Sequence, residues 1–243
     1  MKTEVKPYKN SPLSKKKQVE YMFDRISSRY DLLNHILSFG IDLSWRRKAV
    51  DLLYRFSPDE LLDVATGTGD LAIMAARRVL GINVVGLDCS EKMLEIARKK
   101  ILSRSLEERV SVVRGDSEAM LFEAESFDAV TVAFGVRNFE RLENGLKEIH
   151  RVLKPAGVMI ILEFSQPKGA FVKFVYNLYS HYISFVGRIF SKDVAAYDYL
   201  PRSVMAFPHG VQIKNILKSC GFLRPHVLSL TFGFVSIYIA MKR

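Results

Sequence analysis

A short apolar strand that runs directly into a glycine-containing turn constrains the fold of this chain more than any other feature. The residues 61–64 are apolar apart from Asp63 and have no helical period, and a turn with Gly67 and Gly69 follows them at once. The residues after Asp70 are good helix formers. A strand, a glycine turn and a helix in this order form the first unit of a nucleotide-binding α/β fold, whose ligand lies beyond the carboxyl end of the strand.

Two acidic residues narrow the class of ligand. Asp63 precedes Gly67 by four residues, where it can orient the turn or face a cationic group of the ligand. Asp88 ends the next predicted strand, 21 residues after Gly67, where an acid can accept both hydroxyls of an adenosine ribose. S-adenosylmethionine carries a ribose and a sulfonium but no phosphate, so an acid-lined turn suits it. NAD stays the alternative, because the turn also fits the dinucleotide fingerprint, although Asp63 and Asp70 would repel its pyrophosphate.

The remaining chain alternates between short apolar runs and helical patterns. The predicted strands are residues 61–65, 83–88, 109–114, 127–134 and 158–164, and their alternation with helices implies parallel pairing. A helix is predicted over 141–153, ended by the turn Lys154-Pro155-Ala156-Gly157. Two further strands, 227–230 and 234–241, would add an antiparallel strand, as in Rossmann-like methyltransferases. We therefore expect an α/β fold with a seven-stranded, mostly parallel sheet, an antiparallel last strand and an N-terminal helical cap.

The 243 residues suit a single α/β domain with additions. Residues 1–17, with six lysines against one glutamate, are predicted to be a flexible basic tail that could bind nucleic acid or an anionic membrane. The domain over 18–243 divides into a helical cap (18–56), a cofactor-binding core (57–165), a substrate lid insertion (166–210) and a C-terminal helix with a strand pair (211–243). An apolar stripe within 171–190 is typical of a lid over a lipid-like substrate, of a membrane-surface helix or of an ordinary packed helix.

The composition excludes several classes. Hydrophobic residues make up 49% of the chain, which argues against global disorder, and the two cysteines have neither metal nor disulfide spacing. The N-terminus is charged and has no apolar run that would form a signal peptide, so we expect a cytoplasmic protein. From the cysteine spacing we expect no bound metal. The net charge of +10 leaves peripheral contact with a membrane surface open.

Several motifs along the chain resemble one known family, the ubiquinone/menaquinone biosynthesis C-methyltransferases. They are Tyr30-Asp31-Leu32-Leu33-Asn34, Thr66-Gly67-Thr68-Gly69-Asp70-Leu71, Phe134-Gly135-Val136-Arg137-Asn138, Arg151-Val152-Leu153-Lys154-Pro155-Ala156-Gly157 and Leu162-Glu163-Phe164-Ser165. The glycine turn occurs in every methyltransferase of this fold, whereas the FGVRN and LEFS motifs in that order are specific to the family. The resemblance spans roughly residues 19–242 and implies a Rossmann-like class I fold that uses S-adenosylmethionine.

The resemblance further implies methyl transfer to a ring carbon of a prenylated quinol, chiefly 2-demethylmenaquinol. Loss of a phenol proton pushes electron density onto the ring carbon that attacks the methyl group. Arg137 would stabilise the oxyanion or hold a water that takes the proton, because a guanidinium stays charged. Tyr30, Asn138 and Tyr197 would position the ring. His181 and His209 are further candidates for a base.

On the cofactor side, Thr68 would meet the methionine part, Asp88 the ribose, and Asp116 with Ser117 the adenine. The full predicted set is Asp63, Thr66, Gly67, Thr68, Gly69, Asp88, Asp116, Ser117 and Ala133. Ala133 stands where the family often has a small hydroxyl residue, so one cofactor hydrogen bond would be missing. Ala156 replaces a glycine in a turn that should tolerate it. Departures from the family pattern at Asp198 and Pro201 leave the acceptor open.

Other functions compete with this interpretation. A ubiquinone-pathway or other small-molecule methyltransferase needs only another acceptor. An NAD-dependent oxidoreductase would need a turn that accepts pyrophosphate, and an RNA methyltransferase would need a basic stripe interleaved with aromatic residues, which the core lacks; no nucleic-acid partner is expected. A non-enzymatic, membrane-associated binding protein is also open, as is a homodimer.

Overall fold

The computed structural model describes residues 5–166 and 193–243. Within these ranges the helices are α1 (Lys15–Leu37), α2 (Ile41–Tyr54), α3 (Asp70–Arg78), α4 (Glu91–Leu102), α5 (Leu142–Val152), α6 (Val194–Ala206) and α7 (Val211–Ser219). The strands are β1 (Glu60–Val64), β2 (Asn83–Asp88), β3 (Val110–Arg114), β4 (Phe127–Ala133), β5 (Leu153–Phe164), β6 (Leu223–Leu230) and β7 (Val235–Met241). Short 3₁₀ helices cover Val136–Asn138 and Thr231–Gly233.

All seven strands belong to one sheet, in the order β3-β2-β1-β4-β5-β7-β6. The strands β1 to β5 pair in parallel, whereas β7 is antiparallel to β5 and β6 is antiparallel to β7. The expected seven-stranded, mostly parallel sheet is confirmed. The order reverses between β1 and β4, so a crevice opens beyond the carboxyl ends of these two strands, where ligands of such folds bind.

Alternating side chains of the strands build a core on each face of the sheet. Leu61 of β1 packs into a cluster that includes Trp45 and Val50 of α2, whereas Leu62 packs into a cluster on the opposite face that includes Leu146 and Ile149 of α5. All six side chains are buried. Because β1 is buried on both faces, it shows the continuous apolar pattern of a central parallel strand.

A third cluster joins α1 to α6. Met22, Ile26, Leu33 and Leu37 recur along α1 at helical spacing and pack together with Tyr197. Helix α1 therefore has apolar contacts of its own, whereas α2 packs on the core cluster that contains Leu61.

The boundary of the predicted flexible tail is wrong for its last three residues. Helix α1 begins at Lys15, and the buried Lys15 Nζ donates hydrogen bonds to the carbonyl oxygens of Arg137 (3.2 Å) and Phe139 (2.6 Å). A lysine in a basic run is usually solvated, but here two carbonyl oxygens compensate its burial. The start of the helix is thereby tied to the FGVRN motif.

The fifth strand begins earlier than predicted. Residues 153–157, expected to end a helix and form a turn, are the first part of β5. The pairing with β4 shifts register between Phe127 and Ala129, so the extra residues form an irregularity in the strand. Ala156 lies there with a φ of 61°, in the left-handed region that favours glycine. The expectation that alanine is harmless at this position is therefore wrong on backbone grounds.

Most of the predicted lid insertion, together with the apolar stripe and His181, lies outside the described residues. In the part of the chain that the structure describes, no helix is both long and apolar enough to cross a bilayer.

Candidate active site

The glycine turn after β1 holds the carboxylate of Asp88 through backbone groups. Gly67 has a φ of 57° and donates its N–H to Asp88 Oδ2 at 2.8 Å. Ser90, the N-cap of α4, donates its N–H to Asp88 Oδ1 at 2.9 Å. Burial raises the pKa of Asp88, and these backbone hydrogen bonds oppose the rise. Each carboxylate oxygen keeps a lone pair for a hydroxyl of the ligand.

Asp63, near the end of β1, holds the turn through a side-chain hydrogen bond. Its two carboxylate oxygens accept hydrogen bonds from the hydroxyls of Thr66 (2.7 Å) and Thr131 (2.6 Å), and the side chain is fully buried. Burial raises the pKa of Asp63 to about 6, against the two hydroxyl donors. Of the two roles open to Asp63, the geometry fits orientation of the turn.

A pocket that is partly open to solvent, called the first cavity below, lies against this turn. The predicted cofactor residues that line it are Gly67, Asp88, Asp116, Ser117 and Ala133. Asp63, Thr66, Thr68 and Gly69 do not line it and instead support the turn or the start of α3. The cavity thus follows the carboxyl ends of β1, β2 and β3, as the sheet order requires.

Thr68 has partners other than those expected. Its hydroxyl donates to Asp31 Oδ1 of α1 at 2.6 Å and accepts from Lys100 Nζ of α4 at 3.0 Å. Lys100 also pairs with Asp31 (2.6 Å) and Asp70 (2.5 Å). In this conformation Thr68 connects the cap to the core.

Asp116 is likewise partly engaged. Lys16 Nζ lies 2.5 Å from Asp116 Oδ2, and the N–H of Glu118 donates to Asp116 Oδ1 at 2.9 Å. Lys16 also lines the first cavity, the one against the glycine turn. A residue of the predicted tail therefore contributes to the wall of this cavity.

A second cavity, also partly open to solvent, lies between the cap, α6 and the carboxyl ends of β4 and β5. Its wall is largely apolar and includes Met22, Ile26, Leu37, Trp45, Phe164, Ala196 and Leu200. Phe23, Tyr30, Phe134 and Asn138 line both cavities. The two cavities therefore share a wall, which is made of two phenylalanine rings, one tyrosine ring and one side-chain amide.

Arg137 lines the second cavity as part of a buried ion pair. Its Nη1 lies 2.8 Å from Glu163 Oε1 and also donates to the carbonyl oxygen of Phe134, while its guanidinium carbon lies 5.5 Å from the centre of the Phe164 ring. The side chain of Arg137 is 8% exposed and that of Glu163 is 0% exposed.

Burial opposes the charge of Glu163 in this pair, and within residues 5–166 and 193–243 one donor of the Arg137 guanidinium is left over. Burial raises the pKa of Glu163, and the Arg137 charge and the N–H of Phe164 oppose the rise. Among the described residues, the buried Arg137 Nε has no hydrogen-bond partner.

A second buried arginine, Arg46 of α2, was missed by the sequence analysis as a site residue. Arg46 lines the second cavity and pairs with Asp42 Oδ2 at 2.8 Å. Its guanidinium carbon lies 5.3 Å from the centre of the Phe134 ring. Within the described structure its buried Nε also has no partner. Burial alone would raise the pKa of Asp42, but hydrogen bonds from His35 and Ser38 and the Arg46 charge lower it.

Two signals in the sequence could have found these pairs. Glu163 ends a nearly continuous apolar strand, where a buried acid needs a partner. Asp42 and Arg46 are four residues apart next to the only tryptophan, on the buried side of an amphipathic helix.

The other predicted catalytic residues have different outcomes. Tyr30, Asn138 and Tyr197 line the second cavity, and burial raises the pKa of Tyr30 while the Arg46 charge opposes the rise. His209 lines neither the first nor the second cavity. The structure thus brings three of the predicted residues together and leaves His209 apart.

Comparison with known proteins agrees with this architecture. The model of the ubiE/COQ5 methyltransferase family matches residues 12–242. A demethylmenaquinone methyltransferase from Bacteroides fragilis is 45% identical over 239 residues, which cover 98% of this chain and 97% of the relative. A protein of the same name from Thermus thermophilus is 48% identical over 220 residues, which cover 90% and 98%.

The solved structures show the same fold at lower identity. A SAM-dependent methyltransferase from Thermotoga maritima superposes with a TM-score of 0.65 at 21% identity, covering 92% of this chain and 99% of that one. Its likeness supports the Rossmann-like class I assignment. With a family model that spans nearly all of its residues and relatives well above 40% identity, this chain belongs to the ubiE/COQ5 methyltransferase family.

Proposed function

We propose that this protein transfers a methyl group from S-adenosylmethionine to a ring carbon of a prenylated quinol, with 2-demethylmenaquinol as the acceptor. The relatives named demethylmenaquinone methyltransferase support this acceptor, and a relative from Geotalea daltonii named ubiquinone/menaquinone biosynthesis C-methyltransferase keeps a ubiquinone-pathway ring as the alternative. The observation that carries the proposal is the shared wall between a cavity lined by the carboxylates of Asp88 and Asp116 and a cavity lined by two buried arginines, Arg46 and Arg137.

The residues of the first cavity fit the donor. The carboxylate of Asp88 is held by two backbone N–H groups and suits the two ribose hydroxyls, and Gly67 leaves open space above the turn, since an added Cβ there would meet nothing within 4 Å. Asp116 and Ser117 lie where they can contact the adenine. When bound, S-adenosylmethionine supplies an electrophilic methyl group on a sulfonium.

The residues of the second cavity fit an aromatic ring with an apolar tail. Trp45, Phe134 and Phe164 form an aromatic cluster, with ring centres 4.7 Å apart for Phe134 and Phe164 and 6.1 Å apart for Trp45 and Phe134. Flat apolar walls hold a quinol ring by dispersion and burial. Tyr30 and Asn138, at the shared wall, are placed to orient the ring toward the donor, and orientation alone can supply a large part of the rate.

Arg137 and Arg46 adapt the second cavity to an anionic ring. Each guanidinium is already paired with one carboxylate, so the cavity is electrically balanced before the acceptor arrives. A quinol that loses its phenol proton places a new negative charge there, and the positive charge of the two guanidinium groups can stabilise the developing oxyanion. A guanidinium does not act as the base itself, since its pKa lies above about 12.

A labelled donor tests the proposal. Purified protein is incubated with labelled S-adenosylmethionine and a panel of reduced demethylated quinones that includes demethylmenaquinol and ubiquinone-pathway rings. The products are analysed by mass spectrometry. We expect label on a ring carbon of demethylmenaquinol and none with the oxidised quinone, because the oxidised ring has no phenol proton to lose. The absence of label on every quinol of the panel would overturn the assignment.

A prenylated acceptor resides in lipid, so the proposal includes transient peripheral contact with a membrane from the cytoplasm. The net charge of +10 favours an anionic lipid surface.

A further inference from the structure

The first residue of α1 is buried against the turn that carries Arg137 and Asn138. The ammonium group of Lys15 donates hydrogen bonds to the carbonyl oxygens of Arg137, at 3.2 Å, and of Phe139, at 2.6 Å. These two carbonyl groups stand on either side of Asn138 in the sequence. The backbone N–H of Lys15 donates to Glu140 Oε1 at 3.0 Å. One residue of α1 therefore holds this turn at three points.

The turn has little regular structure of its own. Its helical part is the 3₁₀ helix Val136–Asn138, and helices of this type have poorer hydrogen-bond geometry than α-helices. The N–H of Asn138 donates to the carbonyl oxygen of Gly135 at 2.9 Å, and the N–H of Phe139 donates to that of Val136 at 3.3 Å. With only this short helix to order it, the turn depends on groups outside it, of which Lys15 is one.

The side chains of the turn border both cavities. Arg137 lines the second cavity, Asn138 lines both, and Phe139 and Glu140 line the first. A shift of the turn would therefore move the Arg137 guanidinium relative to an acceptor in the second cavity. A misplacement of about 1 Å can lower a rate about a hundredfold, because the reaction depends on the alignment of the reacting groups.

Packing alone does not account for a lysine at this position. Lys15 is 8% exposed, and taking an ammonium group out of water costs free energy even where hydrogen bonds compensate it. A well-packed apolar side chain of similar volume is often as stabilising as a buried charge, or more so. What the ammonium group adds is a set of directed N–H donors, and two of them fix the carbonyl oxygens of the turn.

We propose that Lys15 is a positioning residue for the methyl transfer, which acts by holding Arg137 in place at the second cavity. The proposal rests on the proposed function, because that function assigns Arg137 to the developing oxyanion of the acceptor. Lys15 lines neither the first nor the second cavity, so it acts through the turn and not on the substrate.

Three variants of the full chain test the proposal by steady-state kinetics with the quinol acceptor. Lys15→Met keeps the length of the side chain and removes its donors, and we expect it to lower kcat about ten- to a hundredfold per folded molecule. Lys15→Arg keeps the charge and the donors and should restore much of kcat. The control Lys17→Met makes the same change two residues away, at a side chain that is 63% exposed, and should match the wild type.

A second background shows whether Lys15 acts through Arg137. Added to Arg137→Gln/Glu163→Gln, Lys15→Met should lower kcat by less than about threefold, because the group that Lys15 positions is already missing. An equal loss in both backgrounds, or a wild-type kcat in Lys15→Met alone, would overturn the proposal. If Lys15→Met does not fold, Lys15→Gln, whose amide keeps two N–H donors without the charge, takes its place.

Hydrogen exchange followed by mass spectrometry reports on the turn without any acceptor. We expect peptides that contain residues 135–140 to exchange several-fold faster in Lys15→Met than in the wild type, and peptides of α4 to exchange at the same rate. Unchanged exchange at 135–140 while the wild type methylates a quinol would overturn the positioning role alone. If the wild type methylates no quinol, the proposed function fails, and the role of Lys15 in methyl transfer fails with it.

Discussion

Arg137 illustrates how one residue can serve both folding and the proposed reaction. It is the partner of the fully buried Glu163 and also borders the acceptor cavity. Removing one member of a buried ion pair leaves an uncompensated charge, which costs about 3–5 kcal/mol. A single alanine variant would therefore confuse lost activity with lost stability.

A paired substitution resolves this. We expect Arg137→Gln to lower both the free energy of unfolding and kcat, and Arg137→Gln/Glu163→Gln to recover much of the stability while kcat stays roughly a hundredfold or more below wild type. Urea unfolding and steady-state kinetics with the quinol acceptor measure the two effects. Recovery of kcat in the double variant would mean that Arg137 acts only through the fold.

Asp63 should make the stability of the protein fall as pH rises. Because burial raises its pKa to about 6, the folded state keeps a proton that the unfolded state has released above pH 3.8. The free energy of unfolding therefore decreases between pH 3.8 and about 6, by up to about 3 kcal/mol from this group. Asp63→Asn is neutral throughout and should lack this decrease.

Urea unfolding at about pH 4 and about pH 7 checks the sign. We expect the stability of the wild type relative to Asp63→Asn to be lower at the higher pH. The same difference at both values would show that Asp63 does not titrate in this window.

At the scale of elements, the start of β5 stores backbone strain. Ala156 has a φ of 61° within the irregular part of the strand, where glycine has no Cβ penalty. We expect Ala156→Gly to raise the free energy of unfolding by about 0.5–1 kcal/mol, since relief of the strain exceeds the added freedom of the unfolded chain. The exposed Ala119 is not among the residues with a positive φ, so Ala119→Gly should be neutral or destabilising. Urea unfolding of the two variants measures the difference, and a loss of stability in Ala156→Gly would contradict the strain.

For the whole molecule, donor binding should appear as stability. A ligand that binds only the folded state at about 100 times its Kd adds about 2.7 kcal/mol, which raises Tm by several degrees in a chain of this size. We expect this rise with S-adenosylmethionine and none with NAD. Asp88→Ala should lose most of the rise because the ribose loses its acceptor, whereas Asp59→Ala, at an exposed position, should keep it. An unchanged rise in Asp88→Ala, measured by thermal unfolding, would contradict the assignment of Asp88.

Local sequence patterns predicted the fold class and the position of Asp88 at the first cavity. The apolar run before Gly67, the acid after β2 and the alternation of strands and helices each depend on neighbours in sequence, and the sheet order confirms what they predict. Asp88 could be found in this way because a parallel sheet places the ends of adjacent strands together.

The tertiary structure alone decided which charges meet. Arg137 and Glu163 are 26 residues apart and become partners only because β4 and β5 lie side by side, and Lys15 reaches the FGVRN motif across more than a hundred residues. Periodicity reports which side of an element is buried, but an ion pair depends on the relative placement of two elements. For that reason the sequence indicated the donor side of this protein and Arg137, whereas the pairing of Arg137 with Glu163 and the presence of Arg46 in the same cavity emerged only from the fold.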